Sequence, residues 1–215
     1  MYVLALDTAT PAVTAGVVEL TADGIVERSV RVAHDPRKHA ELLMPGIVEA
    51  CDEAGVALPD LAAIVTGVGP GPFTGLRVGM VTAAALGDAL GVPVHGVCSL
   101  DAIANGLGAV LVVTDARRRE VYWAAYGEDG RRTQGPHVDA PAVLLERMPH
   151  VRAAAGGSAE VTGLPVVGPS APTPAGLVAV AAPALRAGVV PGPLEPLYLR
   201  RPDAQEPGAR KRVTA

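Results

Sequence analysis

The residues of this chain that suit chemistry are few: two aspartates, one glycine-rich loop, five histidines and two cysteines. Asp7 and Asp115 each close a short apolar run, Leu4-Ala5-Leu6 and Val110-Leu111-Val112-Val113-Thr114. Open α/β folds place ligands beyond the carboxyl ends of their strands, so either carboxylate could meet one; an aspartate there also forms turns, and both readings stand. The run Gly67-Val68-Gly69-Pro70-Gly71-Pro72-Phe73-Thr74-Gly75 falls between an apolar strand and a helix, the setting of a phosphate cradle. A P-loop needs Lys and Ser/Thr after its last glycine, whereas Leu76-Arg77 follow here and two prolines remove donors. A rigid, shaped connection is therefore the preferred reading. His34 and His39 are five apart, which places them on different faces of a helix, and no HExxH, HxxxH or GxSxG occurs. Cys51 and Cys98 stand alone in apolar surroundings and read as buried thiols of a reducing compartment.

The elements that would position these groups follow from periodicity. Continuous apolar runs predict strands covered on both faces at residues 3–6, 61–68 and 110–115, with further strands at 13–19, 25–32, 94–97, 121–126 and 153–155. Thr21-Ala22-Asp23-Gly24 and Glu128-Asp129-Gly130 are hairpin turns. Leu43, Ile47, Ala50 and Ala54 share one side of a helix, with Pro45 expected to kink it or to end its first turn. A longer helix is predicted from about Thr74 to Leu90, stopped by Gly91-Val92-Pro93. Ser99 has the character of an N-cap for a helix reaching Asn105, and another helix is expected over 175–187 despite Pro183. Gly75, Gly79, Ala83 and Gly87 recur every fourth residue along the long helix. Glycine inside a helix costs about 0.5–1 kcal/mol, so some close neighbour must compensate. That neighbour is either the chain's own core or a partner's helix.

The two halves begin alike, with a strand, an aspartate, a turn, a second strand and Asp-Gly. Asp7 to Asp23 and Asp115 to Asp129 are comparable spans, which suggests a duplicated α/β unit. With 49% hydrophobic and 19% charged residues the chain can build a core. Its net charge of −4 and its single Trp and single Phe argue against an autonomous nucleic-acid binder or a base-stacking platform. The start shows no basic region of a signal peptide, and prolines interrupt the uncharged stretch 161–185, so neither export nor a membrane span is expected. The expectation is a cytoplasmic protein.

Leu4-Ala5-Leu6-Asp7-Thr8-Ala9, His39-Ala40-Glu41-Leu42-Leu43-Met44-Pro45, Gly69 to Gly79, Asp115 to Tyr122 and Pro196-Leu197-Tyr198-Leu199-Arg200 together resemble the bacterial TsaB (YeaZ) family. The resemblance spans residues 1 to about 202, and its GPGxFTGLRxG block is specific; Pro72 stands where serine is common. It implies an actin-like (ASKHA, RNase H-like) duplicated α/β fold, with subdomains at 1–107 and 108–202 and a basic tail, 203–215, whose end is frayed. It also implies a non-catalytic subunit that binds and activates TsaD, which transfers threonylcarbamoyl to N6 of adenosine 37 of tRNA. TsaE, an ATPase, would join them, and tRNA would be met only through the complex.

The partner interface implied by the resemblance comprises Leu42, Leu43, Ile47, Phe73, Gly75, Arg77, Val78, Gly79, Thr82 and Ala83. The same surface would form a homodimer when the chain is alone. On that expectation Gly79→Leu or Ala83→Arg abolishes binding without unfolding the monomer. The catalytic relative holds its metal through two histidines spaced HxxxH, and Val97 to Ala104 here contains none. No metal and no tightly bound cofactor are therefore expected on this chain; ATP and metal would belong to the partners. A vestigial nucleotide site is expected at Asp7, Thr8, Thr10 and Asp115. The competing readings are a stand-alone ASKHA phosphotransferase or ATPase and, further off, a peptidase.

Overall fold

A computed structural model describes residues 1–35, 38–147 and 151–200; the basic tail expected at 203–215 lies outside them. The first half builds a five-stranded sheet from β1 (Tyr2–Asp7), β2 (Ala12–Leu20), β3 (Ile25–His34), β4 (Leu61–Gly67) and β5 (Val94–Val97), in the order β3-β2-β1-β4-β5. β1 pairs antiparallel with β2 and parallel with β4. Alternate residues of β1 serve opposite layers. Leu4 and Leu6 pack with Leu43 and Ile47 of α1 (His39–Ala54) and Ala83 of α2 (Phe73–Leu90). Val3 and Ala5 face the other way, against Leu177, Val178, Ala181 and Leu185 of the C-terminal helix. A strand buried on both sides needs an unbroken apolar run, which is why the alternation of half-exposed strands is missing there.

The second half repeats the plan. β6 (Val110–Asp115), β7 (Val121–Tyr126), β8 (Arg132–Asp139) and the short β9 (Ala154–Ala155) form a sheet of order β8-β7-β6-β9. β6 is antiparallel to β7 and parallel to β9, as β1 is to β2 and β4. A parallel bridge from Ala154 to Val166 stands where the first sheet has β5. This is the actin-like duplicated α/β fold.

Helices join the two sheets. α3 (Ser99–Ala104) packs on β6 and β7 through Leu100 and Ile103, while its Ala102 faces the first sheet's core. α4 (Pro141–Arg147) covers the other face of the second sheet through Leu144. The helix expected near 175–187 is α5 (Pro174–Arg186), which runs through Pro183. It belongs to the first sheet's core although it follows the second sheet in the chain. Residue 107 is thus not a packing boundary. α1 begins at His39, so Pro45 lies inside the helix, past its first turn. Ser99 is the first residue of α3 rather than its cap, which is Cys98. Among the described residues no helix is long and apolar enough to cross a membrane.

Candidate functional site

The end of β1 is sealed. Asp7 has no exposed surface. Its Oδ1 accepts the Ala9 N–H at 2.9 Å, and its Oδ2 accepts the Ser99 hydroxyl at 2.5 Å. Burial pushes this carboxyl up to about 6, with the Ser99 and Ala9 hydrogen bonds opposing the rise. Thr8 is equally committed. Its Oγ1 donates to Gly75 O at 2.7 Å and accepts the Gly79 N–H at 2.9 Å. Thr10 is buried as well, and its carbonyl lies 2.9 Å from His39 Nε2. A metal-bound nucleotide does not fit here, because both Asp7 oxygens are engaged and shielded. That removes Asp7 from the expected vestigial nucleotide site; Thr8 and Thr10 still line a cavity that Asp115 shares.

The glycine-rich block explains the seal. A Cβ on Gly67 would stand 1.7 Å from Asp7 Oδ2, one on Gly71 2.3 Å from Ala9 O, and one on Gly79 2.5 Å from Thr8 Oγ1. The loop and the start of α2 therefore wrap directly over the turn Asp7-Thr8-Ala9, which any side chain would prevent. The stripe of small residues on α2 is used inside the monomer, Gly87 lying against Val94 in the same way. Gly79, Ala83, Leu43 and Ile47 are buried and have no surface to offer a partner. Their place in the expected interface is a second correction. A leucine at Gly79 would strike Thr8 and disturb the fold itself.

What α1 and α2 do present are exposed apolar side chains. Val81 is 65% exposed, Val48 44% and Met44 38%, on two helices packed against each other. Leu42, Gly75, Val78 and Thr82 are half-buried beside them. Phe73 and Arg77 are exposed at the start of α2, but their outer surfaces are shared with the chain's own C-terminal segment. The Tyr198 ring stacks on Phe73 at 5.0 Å between centroids. The Arg77 guanidinium lies 3.8 Å from the centre of the Phe73 ring, and its Nε donates to Tyr198 Oη at 2.8 Å. Leu197 N–H donating to Val68 O at 2.8 Å ties that segment down. No periodicity in the sequence pairs Tyr198 with Arg77.

Comparison with known proteins decides the family. A family model described as TsaD, tRNA N6-adenosine threonylcarbamoyltransferase, matches residues 32–181. An uncharacterized protein of Mycobacterium tuberculosis is 55% identical over 204 residues, 94% of this chain and 93% of that one. The tRNA threonylcarbamoyladenosine biosynthesis protein TsaB of Escherichia coli is 36% identical over 160 residues, 69% of this chain and 66% of that one. The solved structure of YeaZ from Pseudomonas aeruginosa is 28% identical, with a TM-score of 0.75 over 92% of this chain and 100% of that one. The chain belongs to the TsaB (YeaZ) family.

In this TsaB-family chain the second aspartate differs from the first. Asp115 makes the same local hydrogen bond, its Oδ1 accepting the Arg117 N–H at 2.9 Å, yet it is exposed. It lines a cavity of about 290 Å³ with Thr8, Thr10, His39, Phe73 and Arg117, so three of the four residues expected at a nucleotide site meet there. The hairpin after it is unusual: Arg117, Arg118 and Arg119 all have positive φ, at 62°, 55° and 62°. The left-handed region costs a residue with a side chain about 1–2 kcal/mol, so three in a row is a strained turn. Nothing in the residue types signals it, since arginine has no preference for that region. The thiols are inert by comparison. Burial pushes Cys98 up to about 11 and raises Cys51 too. Among the described residues no group of three or more His, Cys, Asp or Glu is arranged to hold a metal.

Proposed function

We propose that this chain is a non-catalytic subunit in the synthesis of threonylcarbamoyladenosine in tRNA. In this reading it docks a TsaD-like catalytic subunit through α1 and α2 and holds it in an active arrangement. The observation that carries the reading is that Met44, Val48 and Val81 are all exposed on two helices packed against each other. Isolated apolar residues on a surface are ordinary; three on one helix pair, with Val78 and Thr82 half-buried beside them, favour a docking face. The name carried by the Escherichia coli relative supports the pathway. The sealed carboxylate at Asp7 supports an accessory role, because it leaves no open acid at the end of β1. Nucleotide and metal would be held by the TsaD-like subunit and a TsaE-like ATPase. The same helix pair would form a homodimer in the absence of the partner, and the assembly would work in the cytoplasm.

The test is Val81→Arg, which places a charge on the proposed face at an exposed position outside the core. Co-purification with the TsaD-like subunit and threonylcarbamoylation of tRNA by the reconstituted complex should both fall at least tenfold, with an unchanged melting temperature. Normal assembly by a folded Val81→Arg chain would remove the docking reading. Turnover of ATP by the wild-type chain alone would favour the phosphotransferase alternative.

A further inference from the structure

A second surface, apart from the apolar face, groups the exposed Arg117, Arg118 and Arg119. Arg117 and Arg118 of the left-handed turn line a cavity of about 440 Å³ together with Phe73, Tyr122, Tyr198 and Arg200. Arg77 lies on the Phe73 ring. Glu120 is ion-paired with Arg200, and Asp115 accepts the Arg117 backbone N–H. Exposed guanidiniums gathered in this way raise the local positive potential.

The chemistry of a fitting ligand can be narrowed. Arg77 and Tyr198 already occupy the Phe73 ring, so that ring is not a free platform for a base. Arg117, Arg118 and Arg119 are all exposed, and planar guanidiniums match phosphate oxygens by paired hydrogen bonds. The turn is held rigidly at its base, Ala116 N–H donating to Glu120 O at 3.0 Å and Glu120 N–H to Arg117 O at 3.0 Å. Strain maintained in a rigid turn, with charge displayed on it, is the pattern of a preformed ligand clamp.

We propose that the Arg117–Arg119 turn binds phosphodiester groups of RNA, so that this subunit itself contacts the tRNA backbone within the complex. The choice of RNA rests on the function proposed above; the phosphate chemistry rests on the turn alone. Contact of this kind positions a nucleic acid and reads no sequence.

The test measures binding of the full chain to an unmodified tRNA transcript across a range of salt concentrations. It uses wild type, the triple variant Arg117→Gln/Arg118→Gln/Arg119→Gln, and a charge-matched control, Arg28→Gln/Arg131→Gln/Arg186→Gln. The turn variant should bind roughly tenfold more weakly or worse at low salt, and lose about one unit of log–log salt slope per phosphate contact removed. The control should retain most of the affinity and slope. Arg119→Asn should weaken RNA binding while keeping or raising the melting temperature, because asparagine tolerates the left-handed region. Equal loss in turn variant and control, no binding by wild type at any salt, or unchanged binding by the turn variant would each overturn the proposal. Wild-type binding of ATP or pyrophosphate that is lost in the turn variant, with RNA binding intact, would overturn it in favour of a nucleotide site. Val81→Arg separates the two readings: RNA binding by the isolated chain should survive that change whether or not docking does.

Discussion

The Ser99 hydroxyl donates to the Asp7 carboxylate at 2.5 Å, joining positions 92 residues apart at the point where the two sheets meet. It makes a carboxylate at the carboxyl end of a central strand part of the core. The consequence is a pH dependence with a definite sign. Asp7 titrates near 6 in the folded chain against 3.8 ordinarily, so the folded state holds its proton more tightly. Stability from this group is therefore complete below pH 4 and lost as pH rises to about 6, by about 3 kcal/mol at most. Asp7→Asn should abolish that part of the profile. Denaturant melts of both chains at pH 4, 5, 6 and 7 check it; parallel profiles would mean that Asp7 has its ordinary acidity.

Gly79 and Val81 are two residues apart and should behave in opposite ways. Gly79→Ala brings a methyl to 2.5 Å from Thr8 Oγ1, disturbing a hydroxyl that holds α2 to the turn. A loss of about 2 kcal/mol or more is expected. Val81→Ala removes exposed surface only and should change stability by less than about 0.5 kcal/mol. Urea melts distinguish them. A neutral Gly79→Ala would show that the α2 contact can relax freely.

Tyr198 should act as a clasp on the start of α2. Tyr198→Ala removes the stack on Phe73 and the acceptor for Arg77 Nε, with an expected loss of about 1–2 kcal/mol. Tyr198→Phe keeps the stack and should lose about half as much. In a double-mutant cycle with Arg77→Ala the losses should fall short of additive, as they do for residues in contact. Additive losses would mean that the hydrogen bond contributes nothing.

The two sheets should unfold together. Trp123, the single tryptophan, is fully buried in the second sheet and donates through Nε1 to Asp139 Oδ2 at 2.9 Å. α5 is packed on the first sheet and α3 touches both cores, so neither half can lose its packing alone. Tryptophan emission and far-ultraviolet circular dichroism should give one coincident transition. Separate midpoints would show that α3 and α5 do not couple the halves.

The elements and their doubling are written locally in this sequence. Leu4-Ala5-Leu6 and Val110 to Thr114 read as strands because burial on both faces needs continuous apolar residues, and the Asp-Gly turns mark the repeat. The glycine spacing at 67, 71, 75 and 79 states that something approaches closely. It does not state what, since a partner's helix and the chain's own turn impose the same absence of side chains. The fold decided that question by bringing Thr8 to Gly79, 71 residues away. Long-range closure likewise decided that Ser99 serves Asp7 instead of capping a helix, and that Tyr198 meets Arg77. The strained turn at Arg117–Arg119 is beyond residue preference altogether, because its conformation is imposed on arginine by the hairpin that carries it. Sequence fixes what each segment can bury; only the packed chain fixes which surfaces remain for a partner.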